Sequence, residues 1–482
     1  MNHAAAAPVP QGRAAKSRAP QSPQSPQSPR SPISLDRVDL LGRSAAELRA
    51  WMTAAGEPAY RGGQLYHAIY AERRFDLGAM TNLPAELRAR LAAETRIGIP
   101  QIARRYRSTD GSVRYLLSPG TLREALEQEG GDVVSGEEAL GSDAAPASDT
   151  MLARDRALAT AAMPATAGTI PGEMLAAGVL DTGVLNIDEL NAGVLNAGVP
   201  DGRALDGGVL ASRRMPGAST RAVRAASVEA VFMPSEGRQT ICISTQAGCA
   251  VDCRFCLTAQ LGLIRNLTAG EIAGQVLVLL ADHRETLAPR TNVVLMGQGE
   301  PLLNYDPVLA AVRLMLDPAG MGLAARHVTL STSGIVPGIM RLGQERMRPR
   351  LAVSLNASTD AQRDAIMPIN RKYPLRDLLA ACRQYPLRPW ERLTFEYVLL
   401  GGFNDTADDA RRVARLLDGL RAKVNLIPWN PGELPYRAAE PQRAQEFQRV
   451  LAGKGSPAFV RYSRGRDISA ACGQLALLET PG

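Results

Sequence analysis

At 482 residues the chain is long enough for two or three domains with a large buried core, and no run of about 18 apolar residues is present to span a bilayer. The formal charge of +7 is uneven: residues 1–35 carry +4 and residues 119–226 carry −7, which leaves +10 on the rest, a surplus suited to a phosphate-rich partner and also to an arginine-rich genome. Six cysteines, four of them between Cys242 and Cys256, exclude a disulfide scaffold and point to a metal in a reducing compartment; with no apolar core of a signal peptide at the start, a soluble cytoplasmic protein is expected.

Residues 1–37 contain PQSPQSPQSPRSP, with too few large apolar side chains to offset the entropy of ordering, and are expected to form a disordered basic tail. Helical periodicity follows in SAAELRAWM, GGQLYHAIYAERR and LPAELRARLAAE, and IARRYRSTDGSVRYLLS predicts two short strands turning at Asp110-Gly111. Residues 38–118 are therefore expected to be a small helical accessory domain with a hairpin. Between 119 and 226 the pattern dissolves into Ala, Gly, Asp and Ser. A five-residue repeat there places Gly-Val-Leu at 178–180, 183–185, 193–195 and 208–210; it is read as a tandem expansion in a disordered insert rather than a β-helix, because so few coils could not stack.

From 227 to 482 strands and helices alternate. Candidate strands are 239–245, 292–296, 327–331, 350–355, 393–400 and 423–427, separated by amphipathic stretches at 268–282, 306–316, 374–384 and 405–419. This pattern implies parallel βαβ units, in an open barrel or a doubly wound sheet, with ligands at the carboxyl ends of the strands.

Two motifs fall at such ends. Cys249, Cys253 and Cys256 stand in C-x3-C-x2-C spacing, where three thiolates hold three irons of a [4Fe–4S] cluster and leave the fourth open to chelate S-adenosylmethionine (SAM). A structural zinc site completed by Cys242 and a ferredoxin-like cluster are the competing readings; zinc favours paired C-x2-C hooks, and a ferredoxin needs a fourth nearby cysteine. The second motif, MGQGEPLLN at 296–304, lets backbone at Gly297 and Gly299 approach a ligand, with Glu300 to pair an ammonium.

Together with HVTLSTSGIVPGI, LAVSLNASTDAQRDAIMPIN, VNLIPWNP, RGRDISAACGQLA and the N-terminal YRGGQLYHAIY, these motifs make residues 38–118 and 227–475 resemble the RlmN/Cfr family of radical SAM RNA methyltransferases. The resemblance implies a partial (βα)6 barrel in the α/β class. It implies that Cys249, Cys253 and Cys256 ligate the cluster, and that Gly299, Glu300, Ser331, Ser354, Leu355, Asn356 and Asn430 hold SAM. Asn356 stands where many relatives carry histidine. The resemblance further implies that Cys472 carries the methyl group, that Cys242 later forms a disulfide with it, and that Glu229 accepts a proton. Substrates implied are 23S rRNA at the peptidyl-transferase centre and the tRNA adenosine 3′ to the anticodon, methylated at C2. An electron donor such as flavodoxin or ferredoxin is implied too, and a monomer away from membranes is expected.

The chemistry is consistent with that assignment, because C2 of adenine bears a non-acidic hydrogen and resists polar methylation, whereas a carbon radical can add to it. A C8-methylating sibling shares the motifs, and a non-catalytic RNA-binding or electron-transfer protein is a further alternative. As isolated residues, Cys242 and Cys472 would be ordinary small core or cap residues, Glu229 a strand residue at the surface, and Cys382 core. Arg104, Arg105, Arg461 and Arg464 are candidates for phosphate contact.

Overall fold

The computed structural model describes residues 37–119 and 227–476, together with Met1. The expected disordered tail and insert, with its repeat, fall outside the described residues. Three helices open the chain: α1 (Ala45–Ala54), α2 (Tyr60–Tyr70) and α3 (Ala85–Glu94), after the short strand β1 (Val38–Asp39), which pairs in parallel with β2 (Thr95–Arg96). A capping box starts α1: Ser44 Oγ accepts from Glu47 N at 3.2 Å, while Ser44 N donates back to the Glu47 carboxylate at 2.7 Å. Leu48 and Met52 of α1 and Leu65, Tyr66 and Ile69 of α2, at helical spacing, are buried.

The catalytic region is built on one ten-stranded sheet. In chain order its strands are β3 (Gln101–Arg107), β4 (Val113–Ser118), β5 (Val228–Ser235), β6 (Arg238–Cys242), β9 (Arg290–Leu295), β10 (Val328–Thr332), β11 (Arg350–Ser354), β12 (Leu393–Leu399), β13 (Ala422–Pro428) and β14 (Ala458–Val460). The spatial order is β14-β13-β12-β11-β10-β9-β6-β5-β4-β3; β6 and β9 to β14 run parallel, and β5, β4 and β3 add on antiparallel. All six expected strands are among the parallel ones. A separate two-stranded ribbon of β7 (Gln246–Gly248) and β8 (Leu263–Asn266) frames the cysteine loop and the short helix α4 (Leu257–Gln260). The helices α5 (Ala269–Asp282), α6 (Tyr305–Leu316), α7 (Val336–Gln344), α8 (Asp360–Ile366), α9 (Leu375–Gln384), α10 (Ala407–Leu416) and α11 (Pro441–Gly453) follow. Residues from β9 through β13 line a single cavity, which is the signature of a sheet curled into a partial barrel.

Two features differ from the sequence expectation. The hairpin of β3 and β4 does form around Asp110-Gly111, but it extends the barrel sheet through β4–β5 pairing instead of remaining with the helices. The accessory helices also share one continuous core with the barrel, from Leu40 and Leu48 through Ile272 to Phe447. Tyr66 Oη donates to Asp317 at 2.8 Å across that junction, and Tyr70 Oη accepts from Gly42 N at 2.8 Å. Pairing between strands 110 residues apart is invisible to local periodicity. Among the described residues no helix is long and apolar enough to cross a membrane.

Adjacent glycines in α2 provide a test of the α1–α2 packing. A Cβ on Gly62 would lie 2.5 Å from the Leu48 carbonyl, whereas one on Gly63 would meet only the Arg49 guanidinium at 3.5 Å. Gly63→Ala is expected to gain up to ~1 kcal/mol from helix propensity. Gly62→Ala is expected to lose about 1–3 kcal/mol from overpacking, so urea unfolding midpoints should move in opposite directions.

Candidate active site

The cavity at the carboxyl ends of the parallel strands encloses about 1040 Å³, part of it open to solvent. Cys249, Cys253 and Cys256 line it from the loop between β7 and α4. That loop can start only from a glycine: Gly248 has φ +72°, and a Cβ there would overlap the Gly262 carbonyl oxygen at 1.9 Å. The same carbonyl accepts from Cys249 N at 2.8 Å, so the ribbon orients the first thiol.

Burial raises all three thiols. Cys249 is pushed up to about 12, Cys253 well above the usual range by burial and then by the neighbouring thiols, and Cys256 is raised by burial against hydrogen bonds from Thr258 and Ala259. A bound cation is therefore needed to hold them as thiolates. Among the described residues no three His, Cys, Asp or Glu groups stand close enough to hold a single ion. The all-thiol donor set in C-x3-C-x2-C spacing fits the three protein ligands of a [4Fe–4S] cluster.

The SAM-binding residues implied by the resemblance converge on the same space. Gly299, with φ +100°, Glu300, Ser331, Ser354, Asn356 and Asn430 all line the cavity. Glu300 is anchored by backbone donors, accepting from Ser333 N at 2.6 Å and Leu302 N at 3.0 Å, while burial raises its carboxyl. Asn356 adopts φ +56°, a conformation that asparagine and histidine tolerate better than most residues. Its Oδ1 accepts from Val398 N at 2.9 Å and its Nδ2 points to Met367 Sδ at 3.3 Å, so this side chain braces the wall. Leu355 departs from the expectation: its side chain is fully buried in the apolar core and does not line the cavity.

Cys472 also lines the cavity, although it is 216 residues beyond Cys256. Its loop is docked onto the cysteine segment: Leu257 N donates to Gly473 O at 2.8 Å, and Thr258 Oγ1 to Leu475 O at 2.5 Å. Asn430 Nδ2 donates to Cys472 O at 3.2 Å and Ser463 Oγ at 2.9 Å. The residue is open to solvent through the cavity yet crowded by protein on its other sides, which, with Glu396 and Cys256 nearby, pushes its thiol up to about 11.

Cys242 and Glu229 do not line the cavity. Cys242 sits one layer behind, packed with Val231 and with Ile468, Ala470 and Leu475 of the Cys472 segment; burial, then the proximity of Cys472, raises its thiol. Glu229 is fully buried rather than at the surface, ion-paired with Arg114 and accepting from Gln298 Nε2 at 3.3 Å. Cys382 is core, as expected.

Two residues escaped sequence reasoning. Glu396, on β12, lines the cavity, accepts from Asn425 Nδ2 at 2.9 Å and has its carboxyl raised by burial; an acid inside the apolar run LTFEYVLL was its signal. Arg363 is fully buried and binds the Ser333, Ser354 and Leu355 carbonyls and the Asn370 side chain. Nothing in the helical pattern of α8 marks it. Of the arginines considered for phosphate, Arg105 is clamped on Asp282 at 3.1 and 2.6 Å, Arg461 donates to Asn425 at 3.2 Å, and Arg464 faces Asp110 at 3.9 Å.

Comparison with known proteins agrees with this geometry. Residues 243–417 match the model of the Radical SAM superfamily, and residues 38–97 match the Ribosomal RNA large subunit methyltransferase N-terminal domain. A protein of Koribacter versatilis, "Probable dual-specificity RNA methyltransferase RlmN", is 41% identical over 433 residues, 89% of this chain and 99% of its own length. The chain belongs to the RlmN family. An RlmN relative from Anaeromyxobacter sp., a dual-specificity RNA methyltransferase, is 56% identical over 263 residues, 53% of this chain and 69% of its own. The crystal structure of a radical SAM methyltransferase from Sphaerobacter thermophilus superposes with a TM-score of 0.67 at 33% identity, covering 92% of this chain and all of that one. Membership of this radical SAM family makes a [4Fe–4S] cluster and SAM the cofactors of this chain.

Replacing any one of Cys249, Cys253 or Cys256 by alanine is expected to abolish the cluster's visible absorbance after anaerobic reconstitution. Cys382→Ala, in the same chain but away from the cavity, should load iron and sulfide normally.

Proposed function

We propose that this chain is a dual-specificity RNA methyltransferase that forms 2-methyladenosine in 23S rRNA at the peptidyl-transferase centre and in tRNA at the adenosine 3′ to the anticodon. The observation that carries this reading is the docking of the Cys472 loop onto the cluster-binding segment, so that one thiol that is not a cluster ligand faces the SAM-binding shell while a second, Cys242, packs behind the same loop. The RlmN names of the relatives support the substrates and favour C2 over C8 methylation.

When bound, the cluster supplies the electron that opens radical chemistry with SAM at a carbon resistant to polar attack. The cluster ligands are Cys249, Cys253 and Cys256. Gly299, Glu300, Ser331, Ser354 and Asn430 shape the SAM site, with Glu300 the partner of its ammonium and Asn356 its brace. Cys472 loses its thiol proton and takes a methyl group on sulfur. That methyl would give one hydrogen atom to the radical that the bound cofactors supply, its carbon would add to C2 of the adenine, and the C2 hydrogen would leave as a proton while one electron returns to the cluster. Cys242 then attacks the Cys472 sulfur, breaking its bond to the transferred carbon, which takes up a proton as the Cys242–Cys472 disulfide closes and methylated RNA leaves. Two electrons from an external donor such as flavodoxin or ferredoxin restore both thiols. Glu229 is the proton acceptor from the base in this scheme; to act, it must exchange part of its pairing with Arg114. We place the enzyme in the cytoplasm as a monomer.

Intact-mass analysis of the protein purified after expression with its substrates tests the scheme. A gain of one methyl group on Cys472 is expected, absent in Cys472→Ala, with 2-methyladenosine missing from RNA of cells that rely on that variant. Cys242→Ala should keep the methyl gain but accumulate a covalent protein–RNA adduct. Unmodified Cys472 in an enzyme that turns over, or 8-methyladenosine as product, would overturn the reading.

A further inference from the structure

The opposite mouth of the barrel, at the amino ends of the parallel strands, holds a second opening of about 1160 Å³, part of it solvent. It is lined by Arg238 at the start of β6, Arg290 at the start of β9, Arg326 and His327 just before β10, Arg350 at the start of β11 and Trp390 just before β12. Four guanidinium groups thus come from four neighbouring strand starts. Arg238 and Arg290 are register partners on adjacent strands, an arrangement in which like charges repel.

Elsewhere in the described residues arginines commonly meet a carboxylate, as Arg105 does Asp282 and Arg265 does Glu271. These four form no ion pair with any described residue, and Arg350 Nε is buried without a hydrogen-bond partner. Concentrated positive charge is also felt by His327: after burial, the charges of Arg326, Arg290 and Arg350 lower its imidazole pKa. Trp390 is 51% exposed at the rim, with the Arg388 guanidinium 5.5 Å from its ring centroid. Such a set is unfavourable for the empty protein, because repulsion goes uncompensated, and favourable once a multiply charged anion sits among the guanidiniums. An indole beside the phosphate-binding groups adds a surface on which a base can stack.

We infer that the amino-end mouth of the barrel is a second ligand site, which binds a nucleotide by placing its phosphates among Arg238, Arg290, Arg326 and Arg350 and its base against Trp390. The nucleotide is either a free nucleoside diphosphate or a unit of an RNA chain, since both present the same phosphate and base chemistry. The site is separated from the SAM cavity by the length of the strands and does not depend on the methyl-transfer scheme.

The test uses the full chain with its cluster reconstituted, in low salt, with ADP, inorganic pyrophosphate and a single-stranded RNA decamer as probes, followed by calorimetry and tryptophan fluorescence. ADP and pyrophosphate are expected to bind, ADP to change the fluorescence, and Trp390→Phe to remove that change. Arg290→Ala with Arg350→Ala should weaken ADP at least tenfold while leaving SAM-dependent 5′-deoxyadenosine formation intact. Should that pair fold poorly, Arg326→Glu at its exposed position should give the same weakening. Displacement of ADP by the decamer assigns the site to RNA; ADP binding that the decamer leaves unchanged assigns it to a free nucleotide. Absence of binding by all three probes, or ADP affinity within twofold of the parent in the arginine variants, overturns the inference. Neither result bears on methylation at Cys472, which is read separately by mass.

Discussion

The mouth of the barrel is built around one buried cation. Arg363 donates to the carbonyls of Ser333 at 2.5 Å, Ser354 at 3.0 Å and Leu355 at 3.1 Å, and to Asn370 Oδ1 at 3.0 Å, so a single guanidinium ties the ends of β10 and β11 to the turn after α8. Removing such a group from water costs several kcal/mol, and the loss is offset only because its planar donors meet acceptors already placed. Burial lowers its pKa to about 10, which leaves it charged at neutral pH. That charge is felt by Cys253, where it opposes the effect of burial and favours thiolate. The backbone at the carboxyl ends of β10 and β11 and the electrostatics of Cys253 therefore rest on the same side chain. Asn370 carries the arrangement outward, donating to Asp364 at 2.7 Å and Asp360 at 3.0 Å, and these carboxylates lie close enough to support the buried charge.

The other half of the site is closed from the far end of the chain. The Cys472 loop has little regular structure of its own, and its position comes from borrowed partners: Leu257, Thr258, Asn430 and the Pro431 carbonyl, to which Gln474 donates at 2.9 Å. Two of these belong to the helix that follows Cys256. The cysteine segment and the Cys472 loop therefore hold each other in place through these hydrogen bonds.

Much of this was legible in the sequence where the signal is local. The strand and helix alternation from 292 to 427 reflects apolar runs of the right length between amphipathic stretches, and the three cysteines are close enough in sequence to share one loop. Signals that depend on distant pairing were not legible. The β3–β4 hairpin was recognised by its turn, but nothing local says that β4 pairs with β5, so its membership of the barrel sheet is a property of the fold. Leu355 lies between two cavity residues in sequence and turns away from both, because the apolar side chain follows the core while the chain leaves the strand. Arg363 sits in a polar-looking helix, where an arginine ordinarily signals solvent, and only its carbonyl partners reveal the burial. The arginines of the opposite mouth come from separate strand starts, so composition registers them only as part of a diffuse positive surplus.

Burial sets the state of the thiols. All six cysteines have raised pKa values with burial as the first cause, so without a partner the site is a set of protonated, sluggish sulfurs. Five of them cluster around the cavity and the loop behind it, an arrangement that would invite unwanted disulfides if the sulfurs were reactive from the start. Burial suppresses that exchange, because the attacking species is thiolate. In the proposed scheme a bound cluster would take the protons of Cys249, Cys253 and Cys256, and of the remaining two thiols Cys472 is the one that lines the cavity. Cys242 is held behind the loop among Val231, Ile468 and Leu475, a placement that suits the late role proposed for it.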